Sequence, residues 1–341
     1  MSVSKRPYLV SFLLLFTALV LSIAVGSVFI PPHDLIAALW SRLTGTGAGN
    51  VPDPYATILF SLRLPRTLLI AMAGAALSGS GAAYQGLFRN PLADPYLIGV
   101  ASGAGLGAVL AMSIQFPYTI LGLLTIPLAA FAGALITTVI VYQLARIGKT
   151  LPTTNLILAG VAVSAFTSAV TSFLMLNSTG ELRRALVWLL GGSMLSGWQP
   201  IVAILPYICI GLGVLLTMGH ALNVLQFGDE QAQQLGLPVD KIRRYIIVTA
   251  TLTTACAVSF TGVIGFVGLI VPHIIRLVCG GDYRRLLPLA MINGAVLLLV
   301  SDILARVVMA PQEIPVGIIT ALAGGPFFLW VLRRSKQQNY W

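Results

Sequence analysis

Asp302 and Arg306 are the two side chains in this 341-residue sequence whose types and spacing most directly suggest chemistry. They stand four residues apart in an apolar run, and a helix places such a pair on one face. An ionisable residue in a membrane span is a functional hypothesis by default, here a proton or ion relay. Because Arg306 is only one turn away, we favour the simpler interpretation, a local ion pair.

Other motifs argue against an enzyme. Gly148-Lys149-Thr150 resembles the end of a phosphate-binding loop, but that pattern needs glycine at position 143, where Gln143 stands. The three histidines are far apart and none belongs to H-E-x-x-H, and a G-x-S-x-G elbow is missing. We therefore expect no catalytic residue, no metal site and no cofactor bound by this chain.

The longest polar segment is F-G-D-E-Q-A-Q-Q-L-G-L-P-V-D-K-I-R-R, residues Phe227–Arg244. Asp229 and Glu230 suit a helix N-terminus, Gly236 suits its C-terminal stop, and Pro238 prevents continuation. The pattern predicts two short helices over about residues 226–242. A helix of under two turns is marginal alone, so we expect its polar face to serve a partner; an exposed connector is the alternative.

Two segments interrupt the apolar runs. In Arg89–Pro95, the Asn-Pro and Asp-Pro steps push the chain out of the α region, and Thr261–Pro272 is punctuated by glycines and a proline. Non-helical backbone at membrane depth survives only where protein or a water-filled path covers it. Interruptions in opposite halves of the chain are typical of an inverted repeat around a transport path.

Composition sets the fold class. Hydrophobic residues are 57% of the chain and charged residues 9%, against roughly 45–50% and about 25% in soluble domains. The sequence predicts an all-α polytopic membrane protein with about ten transmembrane helices, short interrupted segments and cytoplasmic coupling helices, in a single domain over residues 1–341. The predicted spans cover Tyr8–Ile30, Thr67–Phe88, Pro95–Gln115, Phe116–Ala145, Thr150–Asn177, Trp198–Gly219, Tyr245–Gly262, a short helix reaching Gly280, Leu286–Ala305 and Ile314–Leu332.

Charge distribution predicts the orientation. Both ends of the chain are basic, and basic flanks belong in the cytoplasm, so we expect a multi-pass inner-membrane protein with both termini cytoplasmic. The net charge of +10 is then mostly a topological signal, and we expect no nucleic-acid partner. Gly99, Gly103 and Gly107 form a small-residue seam for close helix packing, within one subunit or across a dimer.

Seven blocks resemble the permease subunits of type II ABC importers, which carry iron-siderophore complexes, haem and cobalamin. They stand in that family's order: R-L-P-R from Arg63, G-A-A-L-S-G-S-G-A-A-Y-Q from Gly74, N-P-L-A-D-P from Asn90, L-A-G-V-A from Leu158, G-D-E-Q-A-Q-Q-L-G from Gly228, G-F-V-G-L-I-V-P-H-I-I-R from Gly265 and D-I-L-A-R from Asp302.

The resemblance implies roles for three groups of residues. Coupling to an ATPase falls to Gly228, Asp229, Glu230, Gln231, Ala232, Leu235, Gly236 and Leu237. A cytoplasmic gate falls to Asn90, Leu92, Thr153 and Thr154. Docking of a substrate-binding protein falls to Arg63, Arg66 and Arg306, which our topology places outside.

The same resemblance implies the partners. It indicates a homodimer with the transport path at its interface, two ATP-binding cassette subunits that use ATP and Mg²⁺, and a periplasmic or lipid-anchored substrate-binding protein. Ferric siderophore is the first choice of cargo, then haem or cobalamin. The alternative is an ion-coupled secondary transporter that uses Asp302 as its relay.

Overall fold

The computed structural model describes residues 6–26, 30–44, 53–114, 120–148, 151–176, 182–192 and 197–337. Long apolar runs form helices because a helix satisfies all of its interior backbone polar groups in lipid. The helices are α1 (Arg6–Ala24), α2 (Pro32–Thr44), α3 (Asp53–Thr57), α4 (Leu64–Phe88), α5 (Val100–Ser113), α6 (Ile120–Ala145), α7 (Thr153–Leu176), α8 (Leu182–Leu189), α9 (Gln199–Thr217), α10 (Gly219–Leu225), α11 (Asp229–Gln234), α12 (Val239–Thr261), α13 (Val267–Cys279), α14 (Tyr283–Val307) and α15 (Val316–Gln337). A π-helical segment, Ile58–Arg63, precedes α4, and a 3-10 turn, Pro95–Ile98, precedes α5.

The predicted all-α membrane fold is confirmed. Seven helices in the described ranges are long and apolar enough to cross a membrane, and three shorter apolar helices accompany them: Val100–Ser113, Val267–Cys279 and Val316–Val331. Each of the ten predicted spans corresponds to one of these helices. Parts of several predicted spans, and the extreme N- and C-terminal residues, lie outside the described residues.

Helices α4 and α14 form the centre of the bundle and pack most extensively against each other. They run antiparallel, because Arg66 binds Asp302 near one end and Gly86 contacts Tyr283 near the other. We call these the Arg66 end and the Arg89 end. A Cβ atom on Gly74 would collide with the backbone of Gly294, so glycine at both positions permits this close approach.

The glycine seam of α5 packs within the subunit. Gly103 faces Gly133 of α6, and Gly107 faces the Ala129 carbonyl on the same helix. Of the two alternatives that the sequence left open, the structure therefore shows packing inside one chain.

The first and last helices run in opposite directions along the bundle. Ser22, near the end of α1, hydrogen-bonds Thr67 at the Arg66 end, with 2.9 Å between the hydroxyl oxygens. Helix α15 starts at Val316, shortly after Glu313, which contacts Arg66. The start of α1 and the finish of α15 consequently lie toward the Arg89 end.

Helix α13 corrects one boundary expected from the sequence. The predicted interruption, Thr261–Pro272, extends only over residues 262–266, and α13 continues through Pro272. A proline inside a helix leaves the carbonyl four residues earlier without its usual donor, here that of Gly268. The Gln85 side-chain Nε2 donates to this carbonyl at 3.1 Å, which allows the helix to continue.

The two interruptions touch each other. The Tyr96 hydroxyl donates to the Ile264 carbonyl at 2.8 Å and accepts from the Ile264 amide at 3.3 Å. Arg89 and Phe266 both adopt positive φ values, 50° and 70°, where the chain leaves and re-enters helix. The breaks thus form one continuous non-helical region inside the bundle.

Candidate functional site

The polar segment Phe227–Arg244 folds locally as its residue types predict. Helix α11 begins at Asp229, and Gly236 ends it with a φ of +84°. The Leu237 amide donates to the Ala232 carbonyl and the Gly236 amide to that of Gln233, each at 2.9 Å. This paired arrangement is a Schellman cap, and it needs the left-handed conformation that glycine adopts freely.

Asp229 joins the polar segment to the rest of the chain. Its carboxylate lies 2.6 Å from Arg243 Nη2 on α12 and 3.8 Å from Arg89 Nη2 at the finish of α4. Arg243 Nη1 also donates to the Leu151 carbonyl at 3.3 Å. We call Asp229, Arg89 and Arg243 the Asp229 cluster. The charge of Asp229 is therefore used within the subunit, and the expectation that the polar face serves a partner stays a prediction.

The remainder of α11 is divided between the core and the surface. Ala232 is completely buried, while Leu235 is 67% exposed and the neighbouring Phe227 66% exposed. Glu230, Gln231 and Gly236 are exposed, and Gly228 and Leu237 are half-buried. Helix α11 is thus anchored by the buried Ala232 and by the ion pairs of Asp229, and the segment presents two large apolar side chains among polar ones.

The four predicted gate residues lie on two segments that meet the Asp229 cluster. Asn90 follows Arg89 directly, and its Oδ1 accepts from the Leu92 amide at 2.9 Å, which holds the turn after α4. Thr153 is the first residue of α7, and Thr154 beside it is exposed. Leu151, which accepts from Arg243, stands just before them. The structure therefore brings both gate segments and the polar segment to the Arg89 end.

Asp302 lies at the opposite end between two arginines. Its Oδ1 is 3.0 Å from Arg66 Nε and 2.9 Å from Arg66 Nη2, while Oδ2 is 3.0 Å from Arg306 Nε. The Arg306 Nε–H points at the Asp302 carbonyl oxygen, 3.3 Å away, so the contact with Oδ2 is electrostatic rather than an aligned hydrogen bond. The local ion pair favoured from the sequence is confirmed. Glu313 also binds Arg66, with 2.5 Å between Oε2 and Nη1.

We call Arg66, Arg306, Asp302 and Glu313 the Asp302 cluster. Asp302 has no exposed side-chain surface, and the Arg306 side chain is 4% exposed. Arg306 additionally donates to the carbonyls of Val25 and Ser22, at 3.0 and 3.1 Å, which close the end of α1. The cluster therefore joins α1, α4 and α14.

Arg63 lies beside this cluster but points into the fold. It is 6% exposed, and its Nη1 donates to the carbonyls of Ile23 and Ala24 at 2.9 Å each. Of the three predicted docking arginines, Arg66 has the most accessible side chain, at 35%. A cavity of about 450 Å³ opens here, and its charged lining residues are Arg63, Arg66, Asp302, Arg306 and Glu313. Three arginines against two carboxylates leave this lining with an excess of positive charge.

Asp282 fixes α10 to the start of α14 at the Arg89 end. It accepts from the Arg284 side chain at 3.1 Å, from Asn223 Nδ2 at 2.6 Å and from the Arg284 amide at 3.0 Å. These hydrogen bonds, the Arg284 side chain first, lower the pKa of Asp282 to about 2. The carboxylate therefore stays ionised through the physiological range.

Glu313 and Arg243 are site residues that the sequence reasoning missed. The signal for Glu313 was its rarity, since it is one of only ten acidic residues and lies next to a span end. Arg243 was read only as a topological charge, although it shares the polar segment with Asp229. Within the described residues, no group of three or more His, Cys, Asp or Glu side chains could hold a metal ion.

Known proteins resemble the chain over nearly its whole length. The profile of the FecCD transport family matches residues 13–334. The cobalamin import system permease protein BtuC of Halobacterium salinarum is 48% identical over 298 residues, covering 86% of this chain and 79% of that protein. The hemin transport system permease protein HmuU of Yersinia pestis is 38% identical over 329 residues, covering 94% and 95%.

A solved structure shares the fold. It is described as an inward-facing conformation of an ABC transporter assigned to the metal-chelate type, and it superposes with a TM-score of 0.83 at 30% identity. The match covers 97% of this chain and all of the other. These findings confirm the resemblance read from the seven sequence blocks. The chain therefore belongs to the FecCD transport family and is a membrane-spanning permease of the ABC importers for metal chelates, haem or cobalamin.

Proposed function

We propose that two copies of this chain form a homodimeric permease in the cytoplasmic membrane, with the transport path between them. Two separate ATP-binding cassette subunits use ATP and Mg²⁺ to drive alternating access, and a substrate-binding protein delivers the cargo. The family assignment and the near-complete structural match support this assembly. No observation favours the ion-coupled alternative, because Asp302 is sealed between two arginines.

The Arg89 end is the cytoplasmic side in this proposal. Arg89 and Arg243 lie there, as do Arg284 and Arg285 at the start of α14, in agreement with the enrichment of basic residues in cytoplasmic loops. The described start of α1 and finish of α15 lie toward the same end, so both termini are cytoplasmic. The Arg66 end then faces outward.

The Asp229 cluster is the observation that carries the coupling mechanism. A partner that binds Phe227 and Leu235, on either side of α11, displaces Asp229. The Asp229 carboxylate contacts Arg89, beside the first gate pair, and Arg243, which binds Leu151 beside the second pair. Movement at the polar segment is thereby transmitted to Asn90 and Leu92 through Arg89, and to Thr153 and Thr154 through Arg243 and Leu151. The transmission requires no conformational change within α11 itself.

The Asp302 cluster is the docking site for the substrate-binding protein. A guanidinium group binds carboxylates bidentately, and two copies of the chain present two symmetric positive patches to a two-lobed partner. Arg66 makes the direct contact because of its exposure. Arg63 and Arg306 are buried, so they contribute by adding positive charge behind Arg66.

The cargo is a large metal-bearing chelate or macrocycle. Cobalamin takes first place, because the relative named for cobalamin import is 48% identical over 298 aligned residues, against 38% over 329 aligned residues for the hemin permease. Ferric siderophore, first in the sequence-based order, follows. The visible absorption spectrum of the ligand that co-purifies with the binding protein distinguishes a corrinoid, haem and a ferric siderophore.

Uptake by proteoliposomes tests the mechanism. Vesicles that contain the permease and its ATPase subunits, supplied with the loaded binding protein, should accumulate cargo only with enclosed ATP and Mg²⁺. An uncoupler should leave the initial rate unchanged. Uptake that persists without ATP and collapses with the uncoupler would overturn the proposal in favour of ion coupling.

A further inference from the structure

Arg66 is shared between two carboxylates of very different accessibility. Asp302 binds the edge of the guanidinium formed by Nε and Nη2, and has no exposed side-chain surface. Glu313 binds Nη1, and its side chain is 41% exposed. The Asp302 carboxylate is therefore buried in the interior, whereas the Glu313 carboxylate lies at the solvent-exposed opening of the site.

A guanidinium group has two edges that can bind a carboxylate with two parallel hydrogen bonds, the Nε/Nη2 edge and the Nη1/Nη2 edge. Asp302 occupies the first edge from inside the protein. An external carboxylate can therefore form a bidentate pair only at the second edge. Glu313 occupies the Nη1 atom of that edge.

The other two arginines do not offer an equivalent edge. Arg306 is 4% exposed and is directed at Asp302 and the carbonyl groups that end α1. Arg63 is 6% exposed and donates to two further carbonyls of that helix end. An acidic ligand that approaches this cavity thus meets Arg66 first, with Glu313 already bound.

We propose that Glu313 is an internal competitor for the docking carboxylate and leaves Arg66 when the substrate-binding protein binds. This inference rests on the proposed docking role of the Asp302 cluster. Glu313 lies on the connection between α14 and α15, outside any helix, and its side chain is held there by the ion pair with Arg66. While no partner is bound, Glu313 keeps the exposed guanidinium neutralised and lowers the attraction for other anions.

Removal of the competitor should strengthen docking. With the permease and its ATPase subunits in nanodiscs and the cognate binding protein in solution, Glu313→Gln should lower the dissociation constant by up to about fivefold, the range expected for an exposed charge pair at an interface. Arg66→Gln should weaken docking by a similar or larger factor. Thermal midpoints of all variants establish that the fold is retained.

The double variant Arg66→Gln/Glu313→Gln separates competition from a general charge effect. If Glu313 competes for Arg66, the gain in docking affinity from Glu313→Gln should disappear in the Arg66→Gln background. A gain of equal size in both backgrounds would show that Glu313 acts only by long-range repulsion, and would overturn the inference. Unchanged or weaker docking by Glu313→Gln would also overturn it, while a loss in Arg66→Gln would still support the docking site. Normal docking by Arg66→Gln would instead refute the docking site itself.

Discussion

The Asp302 and Asp229 clusters have the same central chemistry at opposite ends of the bundle. In each, one aspartate lies between two arginines from different helices or helix ends. They differ in burial: the Asp302 side chain is 0% exposed and that of Asp229 is 40% exposed. We attribute the difference between the two roles that we propose, a structural junction at Asp302 and an adjustable one at Asp229, to burial rather than to the residue types.

Burial acts through the cost of leaving a charge without its partner. In the interior, removing one member of an ion pair strands the other in a medium that solvates it poorly, so a buried pair resists rearrangement. At the surface, water replaces a lost partner and the pair contributes little stability. In the cluster that we propose to transmit motion, Asp229 and Arg89 are accessible, at 40% and 47% exposed, whereas Arg243 is 11% exposed.

The largest expected effect comes from opening the buried cluster. Asp302→Asn should lower the free energy of unfolding by about 3–5 kcal/mol, because it leaves Arg306 and half of Arg66 as uncompensated charges. Thermal unfolding in detergent measures the change. Glu313→Gln is the matched control, since it removes the exposed partner of the same Arg66, and it should cost at most about 1 kcal/mol. If the two variants lost the same free energy of unfolding, burial would not explain the difference between the two partners of Arg66.

An intermediate effect is expected at Asp282, which caps α14 at the end where the Asp229 cluster lies. Asp282→Ala should cost about 1 kcal/mol at neutral pH, because the helix loses its N-cap. The folded-state pKa of about 2 lies below the ordinary value of 3.8, so the charge-dependent part of the stabilisation is present above about pH 4. This charge-dependent stabilisation is lost as the pH falls through about 2, where Asp282 becomes protonated in the folded state.

Unfolding of wild type and Asp282→Ala across this acid range checks the prediction. The difference between them should shrink between pH 4 and pH 2. Asp282→Asn keeps a good N-cap and should show the same loss of pH dependence with a smaller cost at neutral pH. A difference that stays constant with pH would mean that the carboxylate charge contributes nothing.

The smallest effect on stability, and the sharpest test of transmission, is expected at Asp229. Asp229→Asn should change the free energy of unfolding by less than about 1 kcal/mol, because the pair is partly exposed. Uptake should fall several-fold relative to ATP hydrolysis, since the link from the polar segment to both gate segments is weakened. The control is Asp240→Asn, which alters an exposed acid in the first turn of α12. An unchanged ratio of uptake to hydrolysis in Asp229→Asn would refute the proposed link.

Sequence reasoning succeeded where the determinant is local. Charge-free runs predict the spans, Gly236 and Pro238 predict the end of α11 and the start of α12, and a spacing of four predicts the contact between Asp302 and Arg306. Each of these predictions depends on residues that are neighbours along the chain, either a continuous apolar run or positions within one or two helical turns of each other.

Sequence reasoning failed where two contacting residues lie far apart along the chain. Arg66 and Asp302 are 236 positions apart, and Gln85 reaches Gly268 across 183 positions. Pro272 was included in the predicted interruption, because the distant Gln85 that satisfies the freed Gly268 carbonyl is not visible in the local sequence. The inward position of Arg63 was also missed. It binds the backbone carbonyls of Ile23 and Ala24, and because every residue has such a carbonyl, the sequence does not mark them as partners.

The Tyr96 hydroxyl links the two helix breaks of the subunit. By bonding both the amide and the carbonyl of Ile264, this one oxygen ties the two helix breaks at a single point. A swing of the chain after α4 consequently carries the start of α13 with it, unless both bonds are given up together. The sequence shows these two breaks as separate features, whereas in the folded subunit a single hydroxyl group links them.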